Sequence, residues 1–191
     1  MTPPERVFVD ANELFPFSVM DLVLSLAEDR LLDFVWTEEL LNEWERVIVR
    51  EQKRSPQTAA SVSATVREFF APTRIDPTFY RDHTAEVPGK DPDDQVHTAA
   101  CAFGDVDVLL TRNTADFPSA FLAAHDVRVA TADDYLTDML KRRPAAVLDT
   151  VYRLTASKQN PPITVFELAD GLERGGAARL AAALHRRLTR S

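Results

Sequence analysis

What this 191-residue chain lacks narrows it first. It has one cysteine, Cys101, so no internal disulfide can staple the fold. The neighbouring Ala99, Ala100 and Ala102 read as small-residue core packing, without the cationic setting of a reactive thiol. No apolar run approaches the roughly 20 residues that a membrane-spanning helix needs. The segment from Met1 to Arg6 leads straight into a strand and has neither the basic nor the apolar region of a secretory signal, so the expected compartment is the cytoplasm. Internal repeats, low-complexity tracts and any platform of aromatics interleaved with basic residues are also missing.

A positive charge balance is lacking too: the net charge is −8, which argues against attraction of nucleic acid by the overall field. The charge is unevenly placed. Residues 141–191 hold ten Lys and Arg against four Asp and Glu, a local +6, which leaves −14 for residues 1–140. Phosphate binding requires only local positive charge, so a basic C-terminal segment beside an acidic body is compatible with RNA, although solvated helix ends would carry the same residues. At 45% hydrophobic and 27% charged residues, the composition is globular and not disordered.

Periodicity supplies the elements. Val7 to Val9 forms a short buried strand ending on Asp10, followed by an apolar helical pattern from Leu14 to Leu26 that tolerates Pro16 only in its first turn. Asp33 to Trp36 reads as a second strand, and Thr37 caps a helix from Glu38 whose Leu40, Leu41, Trp44, Val47 and Ile48 make one apolar stripe. A further helix spans about 56–70, and residues 72–91, with Pro72, Pro77, Pro88 and Gly89, read as an irregular connection. Asp91 and Pro92 open a helix that ends near Gly104. Strands at Val106 to Thr111 and Val127 to Thr131 flank a short helix at Phe117 to Ala124, and a helix from Ala132 to Lys141 closes the body. Strands alternating with helices predict a three-layer α/β/α sandwich around a central parallel sheet. After Pro144 only helical patterns remain, at about 145–156, 164–173 and 176–188. Thr164 and Glu167 form a capping-box pattern, and Gly175 with Gly176 marks a turn. The expected division is an α/β domain at 1–143 and a basic helical extension at 144–191.

In an open parallel sheet, ligands gather at the carboxyl ends of the strands. Asp10 stands directly after the first strand, and Asp116 lies five residues beyond Thr111, at the end of another. Asp93 and Asp94 open a helix, and Glu43 sits within one. Four segments thus each offer an acid, although an Asp at a strand end also serves as an ordinary turn or cap residue. Helical periodicity does not choose between Glu43 and Glu45, which flank opposite edges of the apolar stripe, and Asp93 competes with Asp94. His97, three residues after Asp94, suits either a structural role or the orientation of that carboxylate. Arg112 suits a phosphate clamp or a structural ion pair equally. Arg46, Arg50, Lys53 and Arg54 line one edge of a helix along which an RNA backbone fits.

Taken in order, Asp10 with Ala11 and Asn12, Glu43 beside Trp44, Asp91 to Asp94 before a small-residue helix, and Asn113 to Asp116 before Phe117 resemble the PIN-domain nucleases. The resemblance is to the VapC-type toxins of bacterial toxin–antitoxin pairs, over about residues 6–140. It implies an endoribonuclease with Asp10, Asp94, Asp116 and Glu43 around one or two Mg2+ or Mn2+ ions. Asn113 would position water or substrate, Asp93 would stand in or assist, and Arg112, Arg46 and Arg50 would contact RNA. Hard divalent ions prefer carboxylate oxygen, and Mg2+ keeps several of its waters, so few protein ligands suffice. It further implies a cognate antitoxin that covers the acids with a peptide and a basic side chain, and a homodimer. A metal-dependent phosphatase, a DNA nuclease and a non-catalytic binding module are the alternatives. A dehalogenase-type phosphatase wants a second Asp two residues after the first, where this chain has Asn12.

Overall fold

The computed structural model describes residues 3–51, 53–89 and 91–189. Met1 and Arg190, which enter the leader and basic-tail readings, lie outside them. Four strands, β1 (Arg6–Val9), β2 (Asp33–Val35), β3 (Val108–Leu110) and β4 (Arg128–Ala130), form one parallel sheet in the order β2-β1-β3-β4. The helices are α1 (Ala11–Leu14), α2 (Phe17–Glu28), α3 (Glu38–Arg50), α4 (Pro56–Phe69), α5 (Pro92–Phe103), α6 (Ser119–Ala124), α7 (Ala132–Arg142), α8 (Pro144–Ser157), α9 (Val165–Arg174) and α10 (Ala178–Leu188). This is the expected three-layer α/β/α arrangement with a helical C-terminal region. Among the described residues no helix is long and apolar enough to cross a membrane.

Local chemistry accounts for most boundaries. Thr37, Ser55, Asp91, Thr131 and Thr164 each accept a hydrogen bond from a first-turn amide, and Thr164 and Glu167 close a reciprocal capping box. The single helix expected from Leu14 to Leu26 is instead two. Pro16 has no N–H to continue α1, so the chain restarts at Phe17, whose helix uses the Pro16 carbonyl as acceptor for Val19 and Met20. The strands are shorter than their apolar runs: β3 ends at Leu110 and Thr111 turns its hydroxyl to other uses. Residues 71–86 contain three 3-10 turns, Ala71–Thr73, Pro77–Phe79 and Arg81–Glu86. They are held to α3 by Tyr80, whose buried hydroxyl donates to Glu39 Oε2 at 2.7 Å.

The sheet core of Val7, Phe8, Val9, Phe34, Val35, Val108, Leu109 and Leu110 is essentially solvent-free. Helices α2 and α7 to α10 pack as one group, and α3 to α6 as another, with α1 touching both α2 and α3. The C-terminal helices are also held by charge: Arg153 pairs with Glu28 and Asp29, Lys158 with Asp21, and Arg142 with Asp138 and Glu5. The Asp133 carboxylate accepts the Arg179 and Leu180 amides at 3.1 and 2.8 Å, capping α10 from α7. Much of the basic segment's charge is therefore spent inside the molecule.

A buried carboxylate that the sequence did not flag joins these parts. Glu13, only 3% exposed, accepts the Ala132 amide at the start of α7 at 3.0 Å and Arg112 Nε at 3.0 Å. The same guanidinium donates to the Gly175 carbonyl. Gly176, at φ +92°, lies so near that a Cβ there would come within 3.0 Å of it.

Two predictions follow from these contacts. Glu13→Ala leaves an amide and a guanidinium without their acceptor; discounting for the partial exposure of Arg112, the expected loss is about 2–4 kcal/mol, measured by urea unfolding. For Glu39, burial works to raise the pKa, but the hydrogen bonds from Tyr80 and Arg81 outweigh it and the net direction is down from 4.5. A depressed carboxylate stabilises the fold above its unfolded pKa and loses that contribution as pH falls through the folded one. Tyr80→Phe is therefore expected to cost about 1 kcal/mol at neutral pH, a deficit that narrows as pH drops below 4.5. A pH-independent deficit would contradict this account.

Candidate active site

In the order β2-β1-β3-β4, the connections leave β1 on one side for β2 and return on the other side at β3. The crevice at the carboxyl ends of β1 and β3 is the switch point where such sheets bind ligands. Asp10 emerges there. Its amide donates to the Leu110 carbonyl at 2.9 Å, and its Oδ2 accepts from Thr111 Oγ1 at 2.8 Å and from Asn12 Nδ2 at 3.4 Å. Burial raises its pKa; Thr111 and the nearby His97 only partly offset this, and the charge of Glu43 adds to it.

Across the crevice, Asp94 sits in the first turn of α5. Its pKa is pushed up to about 6, first by burial and then by the negative charges of Asp91, Asp10 and Asp116. Asp94 therefore stands in the field of both Asp10 and Asp116. Asp116 is exposed in the turn after β3, where its amide donates to the Asn113 carbonyl at 2.9 Å and the Asn113 amide to Thr111 Oγ1 at 3.1 Å. Asn12 and Asn113 face a cleft of about 310 Å3 that also exposes Phe15 and Arg50.

Glu43 reaches the same region through packing. Trp44, fully buried, donates its indole N–H to the Leu14 carbonyl at 3.1 Å, pinning α3 to the end of α1. Glu43 Oε2 then accepts from His97 Nε2 at 2.6 Å. Burial acts to lower the His97 pKa, yet the hydrogen bond and charge of Glu43, with Asp10 and Asp93 beyond, carry it upward. His97 Nδ1 is buried without a partner. Glu45 faces Arg67 at 3.3 Å and Asp93 pairs with Arg46 at 3.7 Å, while the charge of Glu43 acts on Asp10 and that of Asp10 on Asp94; Asp93 shares a cleft with Glu43 and His97. His97 orients Glu43 and not Asp94.

Of the expected RNA contacts, Arg112 is committed to Glu13 and Gly175. Arg46 and Arg50 are mostly exposed and, among the described residues, pair only with Asp93 and the adjacent Glu51. Such surface pairs are weak and exchange readily for another anion. Thr111 and Glu13 are the site-forming residues that sequence reasoning missed. Their signals were slight: a polar residue closing an apolar strand, and an acid within an apolar helical pattern three residues after Asp10.

Among the described residues no three His, Cys, Asp or Glu side chains are arranged to enclose a metal ion. The donor chemistry nevertheless fits a hydrated hard cation. Asp10 and Asp94 are both raised by burial, and Asp94 further by the charges of Asp91, Asp10 and Asp116, a setting that a hard cation would relieve.

Two family models match the chain. Residues 6–115 match the PIN domain, and residues 132–186 match the VapC50 C-terminal domain. No curated protein and no solved structure matches the chain. With more than half of its length matched, the chain belongs to the PIN-domain family and is of the VapC type.

Proposed function

We propose that this chain is a divalent-metal-dependent endoribonuclease, the toxin of a toxin–antitoxin pair. The observation that carries the reading is the placement of Asp10 at the end of β1, bonded to Thr111 and Asn12, with Asp94 in the field of both Asp10 and Asp116. Carboxylates crowded in this way favour a bound cation, and Mg2+ or Mn2+ is the hard ion suited to them. Asp10, Asp94 and Asp116 would hold it, with Glu43 beside them. Once bound, the ion supplies Lewis acidity toward a phosphodiester and lowers the pKa of an attacking water.

The protein's own groups do the remainder. Thr111 and Asn12 fix the Asp10 carboxylate by hydrogen bonds. His97 fixes Glu43, leaving its other oxygen to accept a proton from water or to orient it. Asn113, held through Thr111, offers an amide to the substrate, and Arg46 and Arg50 track the RNA backbone. Domain 1–143 carries this chemistry and 144–191 braces it. A protein antitoxin is the natural inhibitor, since a basic side chain laid among these acids would satisfy the same field. Self-association as a homodimer belongs to the same reading.

Saturating Mg2+ or Mn2+ is expected to raise the wild-type melting temperature by about 5 °C or more, as binding at a hundredfold excess over Kd implies. Asp10→Asn should abolish the rise; an equal rise in this variant would remove the metal assignment. Incubated with a single-stranded RNA and its DNA counterpart, the wild type should cut only the RNA, with cleavage at least 100-fold slower in Asp10→Asn. Equal cutting of DNA would overturn the ribonuclease assignment while leaving the metal site standing.

A further inference from the structure

A second cavity, of about 380 Å3, lies between α7, α8 and α10. The α7 helix starts at the carboxyl end of the sheet, where Glu13 caps it, and ends at the amino end, where Arg142 reaches Glu5 just ahead of β1. Its 11 residues span roughly 16 Å at 1.5 Å per residue. The cavity, built around the last turns of α7 and α10, is therefore remote from the carboxylates and plays no part in the chemistry above.

Its lining has one character. Leu140, Leu148 and Ala183 supply an apolar floor, Lys141, Arg186 and Arg187 a cationic rim, and no acid contributes. Lys141 and Arg186 make no ion pair among the described residues, whereas Arg142, Arg153, Lys158 and Arg179 are all held by acids. Cations at helix C-termini are ordinary in themselves. The independent observation is Thr137, which lines the same cavity, is 5% exposed, and has a buried hydroxyl with no hydrogen-bond partner. An orphaned hydroxyl in a core is unfavourable by about 1–3 kcal/mol.

We propose that this cavity is a binding site for a small amphiphilic anion, an aromatic or short aliphatic body carrying a phosphate or carboxylate. The body would cover Leu140, Leu148 and Ala183, the anionic head would pair with Lys141 and Arg186, and Thr137 would gain its missing partner. The volume suits a compact ligand of this kind. The assignment does not depend on the nuclease reading.

The full chain, labelled with 15N and titrated without metal, tests it through amide shifts. Phenyl phosphate and benzoate distinguish the two head groups, and inorganic phosphate tests whether the apolar body matters. At least one aromatic anion should shift the amides of Thr137, Leu148 and Ala183 saturably, with a Kd of about 1 mM or tighter, a scale typical of fragments. Inorganic phosphate should bind at least 10-fold more weakly. The exposed-charge variant Lys141→Gln/Arg186→Gln should weaken the aromatic anion at least 10-fold while leaving the fold intact, and Ala183→Leu should weaken it by filling the floor. Absence of saturable shifts, equal binding of inorganic phosphate, or unchanged binding in the charge variant overturns the proposal. So does a single-stranded RNA that shifts these amides when neither aromatic anion does, which would reassign the cavity to the polymer.

Discussion

The arrangement depends on one buried carboxylate. Glu13 follows the strand that delivers Asp10, and from α1 it holds two things that arrive much later in the chain: the first amide of α7 and the guanidinium of Arg112. Desolvating a carboxylate is unfavourable unless its oxygens are satisfied, and here each oxygen has a donor. Because Arg112 also donates to the Gly175 carbonyl, the turn after β3 is held between α1 and the α9–α10 turn. That turn carries Asn113 and Asp116. The position of the exposed acid relative to the buried one is thus set from behind, by a contact that touches neither.

Charge is the second organising constraint. A body of net −14 would repel itself and any polyanion, yet its surface acids at Asp21, Glu28, Asp29 and Asp134 are each taken up by a cation of the C-terminal helices. Individually such exposed pairs contribute little; together they reduce the background charge against which the crevice acts. What stays unbalanced is the crevice itself, where Asp94 rises to about 6. The Glu43–His97 pair shows how far the protein goes to supply a countercharge of its own, burying an imidazole beside Phe8 to do so.

Local rules were legible in the sequence and long-range ones were not. The caps at Thr37, Asp91 and Thr164 depend on neighbours within three residues, and each appears where its pattern places it. Asp10 was legible because a strand end and a side-chain type suffice to flag it. The choice of Glu43 over Glu45 was not, since it turns on Trp44 bonding the Leu14 carbonyl and on His97, 54 residues away, meeting one carboxylate while Arg67 meets the other. Asp93 and Asp94 are adjacent in sequence yet meet different partners, Asp93 pairing with Arg46 and Asp94 lying in the field of Asp10 and Asp116, a distinction set by how α5 sits on the sheet. Glu13 was invisible for the same reason: its partners lie 99 and 119 residues downstream. The break at Pro16 was half legible, because proline forbids a helix interior but does not say which side yields.

Connectivity decides which side chains meet at each end of the sheet. Every strand of a parallel sheet delivers its following residue to the same end, so Asp10 after β1 and the Asn113–Asp116 turn after β3 collect there by topology alone. The helices run back, so α7 deposits Lys141 and Arg142 at the amino end, where Glu5 meets Arg128 and Arg142. A helix favours acids in its first turn and bases in its last, and α5 with Asp93 and Asp94 and α7 with Lys141 and Arg142 obey this rule. In α7 the rule is met at both ends, with Asp133 and Asp134 in the first turn and Lys141 and Arg142 in the last, so the length of this one helix keeps the carboxylate crevice and the cationic cavity from neutralising each other.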